Sequence, residues 1–162
     1  MYINAESSDS VGLFGYASGA VYDLNLESGY VKGKNSVGGF AGNSGGAYRI
    51  DSVSNGKHVS LFTNCVNKAT VVGETYVGGI LGYTGQGNFH YDIAGVIEKC
   101  RNEGNITGKS YVAGICGLAM EITGGDGMLT EILNCTNIGV ITGDTNVNEI
   151  ANKKLEIGGG SN

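Results

Sequence analysis

Two short patterns of apolar and polar residues take turns along the chain. The first is glycine, a large apolar residue, a small or apolar residue, and glycine again. It reads Gly12-Leu13-Phe14-Gly15, Gly39-Phe40-Ala41-Gly42, Gly79-Ile80-Leu81-Gly82 and Gly114-Ile115-Cys116-Gly117, with Ser10, Val37, Val77 and Val112 two places ahead. The second pattern follows each copy of the first. It reads Cys65-Val66-Asn67-Lys68-Ala69-Thr70-Val71-Val72-Gly73, then Cys100-Arg101-Asn102-Glu103-Gly104-Asn105-Ile106-Thr107-Gly108, then Cys135-Thr136-Asn137-Ile138-Gly139-Val140-Ile141-Thr142-Gly143. A looser copy, Asn25-Leu26-Glu27-Ser28-Gly29-Tyr30-Val31-Lys32-Gly33, opens the series, with Asn25 in place of the cysteine. Glu149-Ile150-Ala151-Asn152 reads as a decayed fifth copy of the first pattern.

In the second pattern Cys100, Asn102, Gly104, Ile106 and Gly108 share one parity, and the polar Arg101, Glu103, Asn105 and Thr107 share the other. Period two predicts extended strand with one buried face. The glycine inside the unit marks a bend between two short strands. The first pattern is apolar on both parities, with Val77 and Leu81 on one and Ile80 on the other. That predicts a strand covered on both faces. The variable stretches, roughly 43–57, 84–93 and 119–129, are expected to fold back over it. No window carries a helical stripe, and the nearest, 149–157, runs into three glycines.

The closing glycines of the second pattern fall at 33, 73, 108 and 143. Strands at a fixed period that cannot each form a core must stack on one another. The expected fold is all-β, a right-handed parallel β-helix of about four coils with variable insertions on one side. Its repeats are roughly 10–33, 37–73, 77–108 and 112–143, with a degenerate fifth at 147–152. An antiparallel sandwich and a propeller are the competing architectures. Stacking places equivalent residues about 4.8 Å apart. Asn67, Asn102 and Asn137 then form an amide ladder, each satisfied from the coils above and below. Gly12, Gly39, Gly79 and Gly114 fall at corners where positive φ is needed or a side chain would clash.

Composition narrows the picture. The chain has 162 residues, 30 of them glycine and none proline. Glycine without an every-third-residue period excludes collagen, and missing proline suits strands that must all donate to neighbours. A hydrophobic fraction of 41% with a net charge of −5 excludes a disordered chain. Ten basic residues, thinly spread, offer no surface for nucleic acid. No apolar run approaches the ~20 residues of a membrane helix. Tyr2-Ile3-Asn4-Ala5 resembles the end of a preceding second pattern. Both termini then fall inside a repeat, and residues 1–162 are expected to be one repeat domain drawn from a longer array. Its uncapped coils could associate end to end.

The candidate chemistry is sparse. Cys65, Cys100 and Cys135 are equivalent positions, so they should stack as a column. Parallel Cβ vectors at strand spacing suit a disulfide poorly, and small buried apolar residues are the simpler reading. Cys116 takes the place of Leu81 and Ala41, which also argues core. No Cys-x-x-Cys pair points to zinc. His58 and His90 lie in or beside the variable stretches, outside any His-Glu-x-x-His signature. No metal, cofactor or catalytic residue is therefore expected. Tyr48, Phe89, His90 and Tyr91 are the candidate binding-loop residues. For a polysaccharide-active enzyme, Asp92, Glu98 and Glu103 are the available carboxylates, and no pairing of them recurs. An ice-binding face would need a threonine column, and only Thr107 and Thr142 align, against Lys32 and Val72.

The four Gly-apolar-x-Gly units resemble the GLUG motif, and the Cys-x-Asn-x-Gly units resemble its usual companion. The resemblance covers roughly residues 10 to 152. It implies an extracellular module of a bacterial surface or secreted protein, adhesin-like, or the non-catalytic part of an immunoglobulin-A-cleaving zinc peptidase. The function so implied is non-enzymatic, with loops presented to a host protein or glycan. A polysaccharide-active or carbohydrate-binding β-helix is the alternative.

Overall fold

The computed structural model describes residues 1–17, 19–44, 59–84, 95–123 and 130–157, and contains only strands and turns there. Each coil visits five sheets in the same order. In one coil Thr70–Val72 lies in sheet 1, Thr75–Gly78 in sheet 2, Leu81–Thr84 in sheet 3, Gly95–Glu98 in sheet 4 and Arg101–Asn102 in sheet 5. Ile106–Thr107 then re-enters sheet 1 one rung higher. Every strand pairs in parallel with its counterpart in the next coil, as Val71 with Ile106, Val77 with Val112 and Asn102 with Asn137. The protein is a parallel β-solenoid, and the antiparallel alternatives fall away. Sheets 1 and 3 hold five strands and sheets 4 and 5 hold four. Sheet 2 also has four strands, extended by a bridge from Val11 to Val37.

Three sequence expectations change. The first concerns register in the opening coil. Val31 pairs with Val71, forty residues on, but Leu26 pairs with Asn67, forty-one on. The cysteine column therefore continues into Leu24, whose carbonyl accepts from Val66 N, and not into Asn25. The extra residue is taken up near Gly29, which has a φ of 150°.

The second concerns the first pattern. It is two strands meeting at a corner, not one strand covered on both sides. The chain bends at Gly78–Gly79 between sheets 2 and 3, so that Val77, Ile80 and Leu81 are all fully buried inside the coil despite their mixed parity. Within sheet 3 successive residues are buried in some strands, Asn43 with Ser44 and Leu118 with Ala119, whereas Tyr16 in its first strand is 50% exposed. The stretches expected to cover it lie largely outside the described residues.

The third concerns positive φ. Among the described residues it is held mainly by residues other than glycine, in two stacked columns. Ser10, Ser36, Tyr76, Tyr111 and Asn146 form one, with φ of 52–58°. Asp23, Asn64, Lys99 and Asn134 form the other, with φ of 52–54°. A left-handed residue costs about 1–2 kcal/mol for most side chains, and asparagine and aspartate tolerate it best. Here each one turns the chain, and the ladder skips it: Thr75 pairs with Ser110 and Val77 with Val112.

The glycines of the first pattern serve close approach instead. A Cβ on Gly114 would lie 2.5 Å from Asn137 Cβ, and one on Gly39 would lie 2.8 Å from Asn67 Oδ1. Gly39, Gly79 and Gly114 thus face the asparagine of their own coil across its interior. This line divides the core. On one side Phe40, Leu81, Phe62, Ile97 and the cysteines pack together; on the other Val31, Val37, Val71, Val77, Ile106 and Val112 do. The fifth copy, Glu149 to Asn152, continues the stack. Ala151 pairs with Cys116 and Asn152 with Leu118, and the Asn152 amide donates to Gly117 O at 2.9 Å.

Outside, charges alternate up the stack. Backbone bonds align Lys34, Glu74, Lys109 and Asp144 in one column, with a Lys109–Glu74 ion pair of 3.0 Å. Another holds Glu27, Lys68 and Glu103, where the Glu27 carboxylate raises the Lys68 pKa.

These contacts rank two substitutions. Gly79→Val drives a side chain against Asn102 Cγ, 2.5 Å from where its Cβ must sit. It should cost at least the about 1–3 kcal/mol of an overpacked core. Thr107→Val, on an exposed site, should stay within about 0.5 kcal/mol. Equal melting temperatures would contradict the packing.

Candidate functional site

Interior columns are the most ordered chemical feature of the coil. Asn67 Nδ2 donates to Asn102 Oδ1 at 2.8 Å, and Asn102 Nδ2 donates to Asn137 Oδ1 at 2.7 Å. Each amide also donates to a carbonyl two residues on, at Ala69, Gly104 and Gly139. Asn67 Oδ1 takes the Ala69 N–H at 3.0 Å. The ladder expected from the sequence is therefore present, and Leu26 ends it in the first coil.

The cysteines stack beside it. Each thiol makes the same bond to the carbonyl two residues back: Cys65 to Thr63 at 3.4 Å, Cys100 to Glu98 at 3.3 Å and Cys135 to Leu133 at 3.4 Å. All four cysteines are free thiols. Cys65 and Cys100 are buried, while Cys135 is partly exposed. Contact with the Cys135 and Cys65 thiols, then burial, pushes the Cys100 thiol well up. The neighbouring Cys100 thiol, as the largest influence, lowers that of Cys135. Burial pushes Cys116, in a different column, up to about 12.

On the outer surface, Tyr76 packs against Tyr83 in its own coil and against Tyr111 in the next, with ring centroids 5.3 Å apart in both pairs. The repeat period places Tyr76 and Tyr111, thirty-five residues apart, in one column, and Tyr83 joins them only in the folded coil. Tyr76 and Tyr111 stand at left-handed corners, a conformation sequence patterns for tyrosine do not signal.

The variable segments all link sheet 3 to sheet 4. They leave from Ser44, Thr84 and Thr123, and the chain returns at Val59, Gly95 and Thr130. Ser44 stacks on Thr84, and Val59, Gly95 and Thr130 stack in register. The first coil closes the same gap with residues 18–20 alone. Tyr48, Phe89, His90 and Tyr91, together with His58 and Asp92, lie outside the described residues. Of the other candidate carboxylates, Glu98 accepts from Thr63 Oγ1 at 3.4 Å and Glu103 pairs with Arg101 at 2.9 Å. Lys32, Val72, Thr107 and Thr142 do stack, so the threonine column is only two deep.

Among the described residues no three or more histidine, cysteine or carboxylate side chains converge as a metal site, and no helix is long and apolar enough to cross a membrane. No family model, curated protein or solved structure matches this chain.

Two outcomes test the columns. Asn102→Leu leaves the Gly104 carbonyl and Asn137 Oδ1 without their amide donor. Denaturant unfolding should show a loss of about 1–3 kcal/mol for each group so stranded; no loss would refute the ladder. Under native conditions at neutral pH, a thiol reagent should label Cys135 first, because a neutral buried thiol is a poor nucleophile. Mass mapping that finds Cys116 labelled as fast as Cys135 would contradict the burial order.

Proposed function

We propose that the chain is a non-enzymatic module of an extracellular bacterial surface or secreted protein, related to GLUG-motif proteins, that holds a row of loops toward a host protein or glycan. One observation carries this reading: segments of different length all link sheet 3 to sheet 4, leaving from the superposed Ser44 and Thr84 (and from Thr123, four residues beyond the superposed Ala119) and returning at the superposed Val59, Gly95 and Thr130. A rigid scaffold with variation confined to one seam is the usual arrangement for recognition. The recurring residues are used up by construction: glycine for close approach, asparagine for the ladder, cysteine and valine for the core.

A carbohydrate-binding reading draws support from the Tyr76, Tyr83 and Tyr111 cluster, since aromatic rings combine apolar faces with hydroxyls. End-to-end association would use sheets 1 to 3, where the last rung stands above sheets 4 and 5.

The first coil suggests the test. Residues 85–96 can be replaced by the Ser18-Gly19-Ala20 link that closes the same gap in that coil. On arrays of glycans and extracellular-matrix proteins, the parent chain should bind at least one class, and the shortened variant should melt normally and lose binding. Binding that survives the replacement, or none by the parent, would sink the loop-presentation reading.

A further inference from the structure

The thiol column has a property that neither core packing nor loop presentation uses. Its three cysteines share one rotamer, shown by the repeated bond from each thiol to the carbonyl two residues back, at 3.3–3.4 Å. Their backbones are linked rung to rung: Arg101 N donates to Cys65 O at 2.9 Å, and Thr136 N donates to Cys100 O at 3.0 Å. Identical rotamers on a parallel ladder space the sulfurs by the rung repeat, about 4.8 Å. A disulfide wants its Cβ atoms about 3.8 Å apart, closer than that repeat. Two metal–sulfur bonds laid end to end, each near the ~2.3 Å of a zinc–thiolate bond, span close to that repeat.

We propose that Cys100 and Cys135 form a two-coordinate site for a soft monovalent cation of the Cu(I) class, held linearly between adjacent coils. Thiolate ligands select such ions over harder ones. Cys135, partly exposed at the upper end of the column, is the point of entry. Cys100 is the inner ligand, and Cys65, beyond it in the column, is not part of the site. Binding exchanges two protons for one cation: both thiols release H⁺ to solvent, two sulfur–copper bonds form, and copper stays Cu(I). The product carries one negative charge. A linear site needs only two ligands, so it is compatible with the absence of any cluster of three or more among the described residues.

The test is an anaerobic titration of the whole chain with Cu(I) against a chromophoric Cu(I) chelator, with X-ray absorption of the loaded protein. One ion should bind with two sulfur neighbours. Cys100→Ser and Cys135→Ser should each weaken it by about 10²-fold or more, the gain expected of two tethered ligands over one. Cys116→Ser and Cys65→Ser should leave the ion in place. Affinity unchanged in Cys100→Ser, equal loss in Cys116→Ser, or a coordination shell of oxygen, nitrogen or three sulfurs would overturn the assignment. Should Cys100→Ser not fold, the absorption spectrum of the native protein decides alone.

Discussion

The width of the coil is fixed by one contact, an asparagine amide lying against a glycine on the opposite wall. Asn67 meets Gly39, Asn102 meets Gly79 and Asn137 meets Gly114, each within one coil. No Cβ fits between them. The buried amide is satisfied by the asparagine of a neighbouring coil together with the carbonyl two residues on in its own. Lateral narrowness and vertical stacking are thus one requirement: the glycine admits the amide, and the ladder satisfies it. The two sequence patterns recur together because they are the two sides of this contact. The first coil shows the converse. Leu26 replaces the asparagine, and Gly12 packs against Ala41 and Gly38 instead.

Stacking also decides where irregularity can go. A left-handed residue is tolerated at the sheet 2 corner because every coil makes the same turn there, so each rung skips the same position and the ladder resumes above it. Charged columns alternate in sign, Lys34–Glu74–Lys109–Asp144 among them. Each such pair is worth little alone at a surface, but a slip by one coil would bring like charges together, which favours a single order. The large length differences fall in the sheet 3–sheet 4 link, away from the amide ladder and the two left-handed columns seen among the described residues.

The same regularity separates scaffold from chemistry. Coil-to-coil identity turns ordinary core residues into evenly spaced rows, and a row of thiols has a spacing that packing alone does not require. The insertions, by contrast, leave the stack after Ser44, Thr84 and Thr123 and rejoin it at Val59, Gly95 and Thr130. Partner recognition placed there would change without disturbing the amide–glycine contact or the valine column.

Much of this was legible in the residues. The repeat period gave the stack, the 67, 102, 137 register and the cysteine column, because columns in a solenoid are sequence separations read as heights. The seam of variable length was legible for the same reason. Other features needed the folded chain. Apolar residues on both parities of the first pattern signalled a strand covered twice, whereas a bend at Gly78–Gly79 turns both parities inward. The first coil's register, with Leu24 and not Asn25 beneath Cys65, depends on an extra residue near Gly29 that pattern alignment cannot place. Left-handed Tyr76, Lys99 and Tyr111 oppose their intrinsic preference and are held by their neighbours. The sequence by itself determined which residues share a column, since that needs only the period. The tertiary structure decided where the chain turns and which wall each side chain meets, since those follow from non-local contact and steric fit.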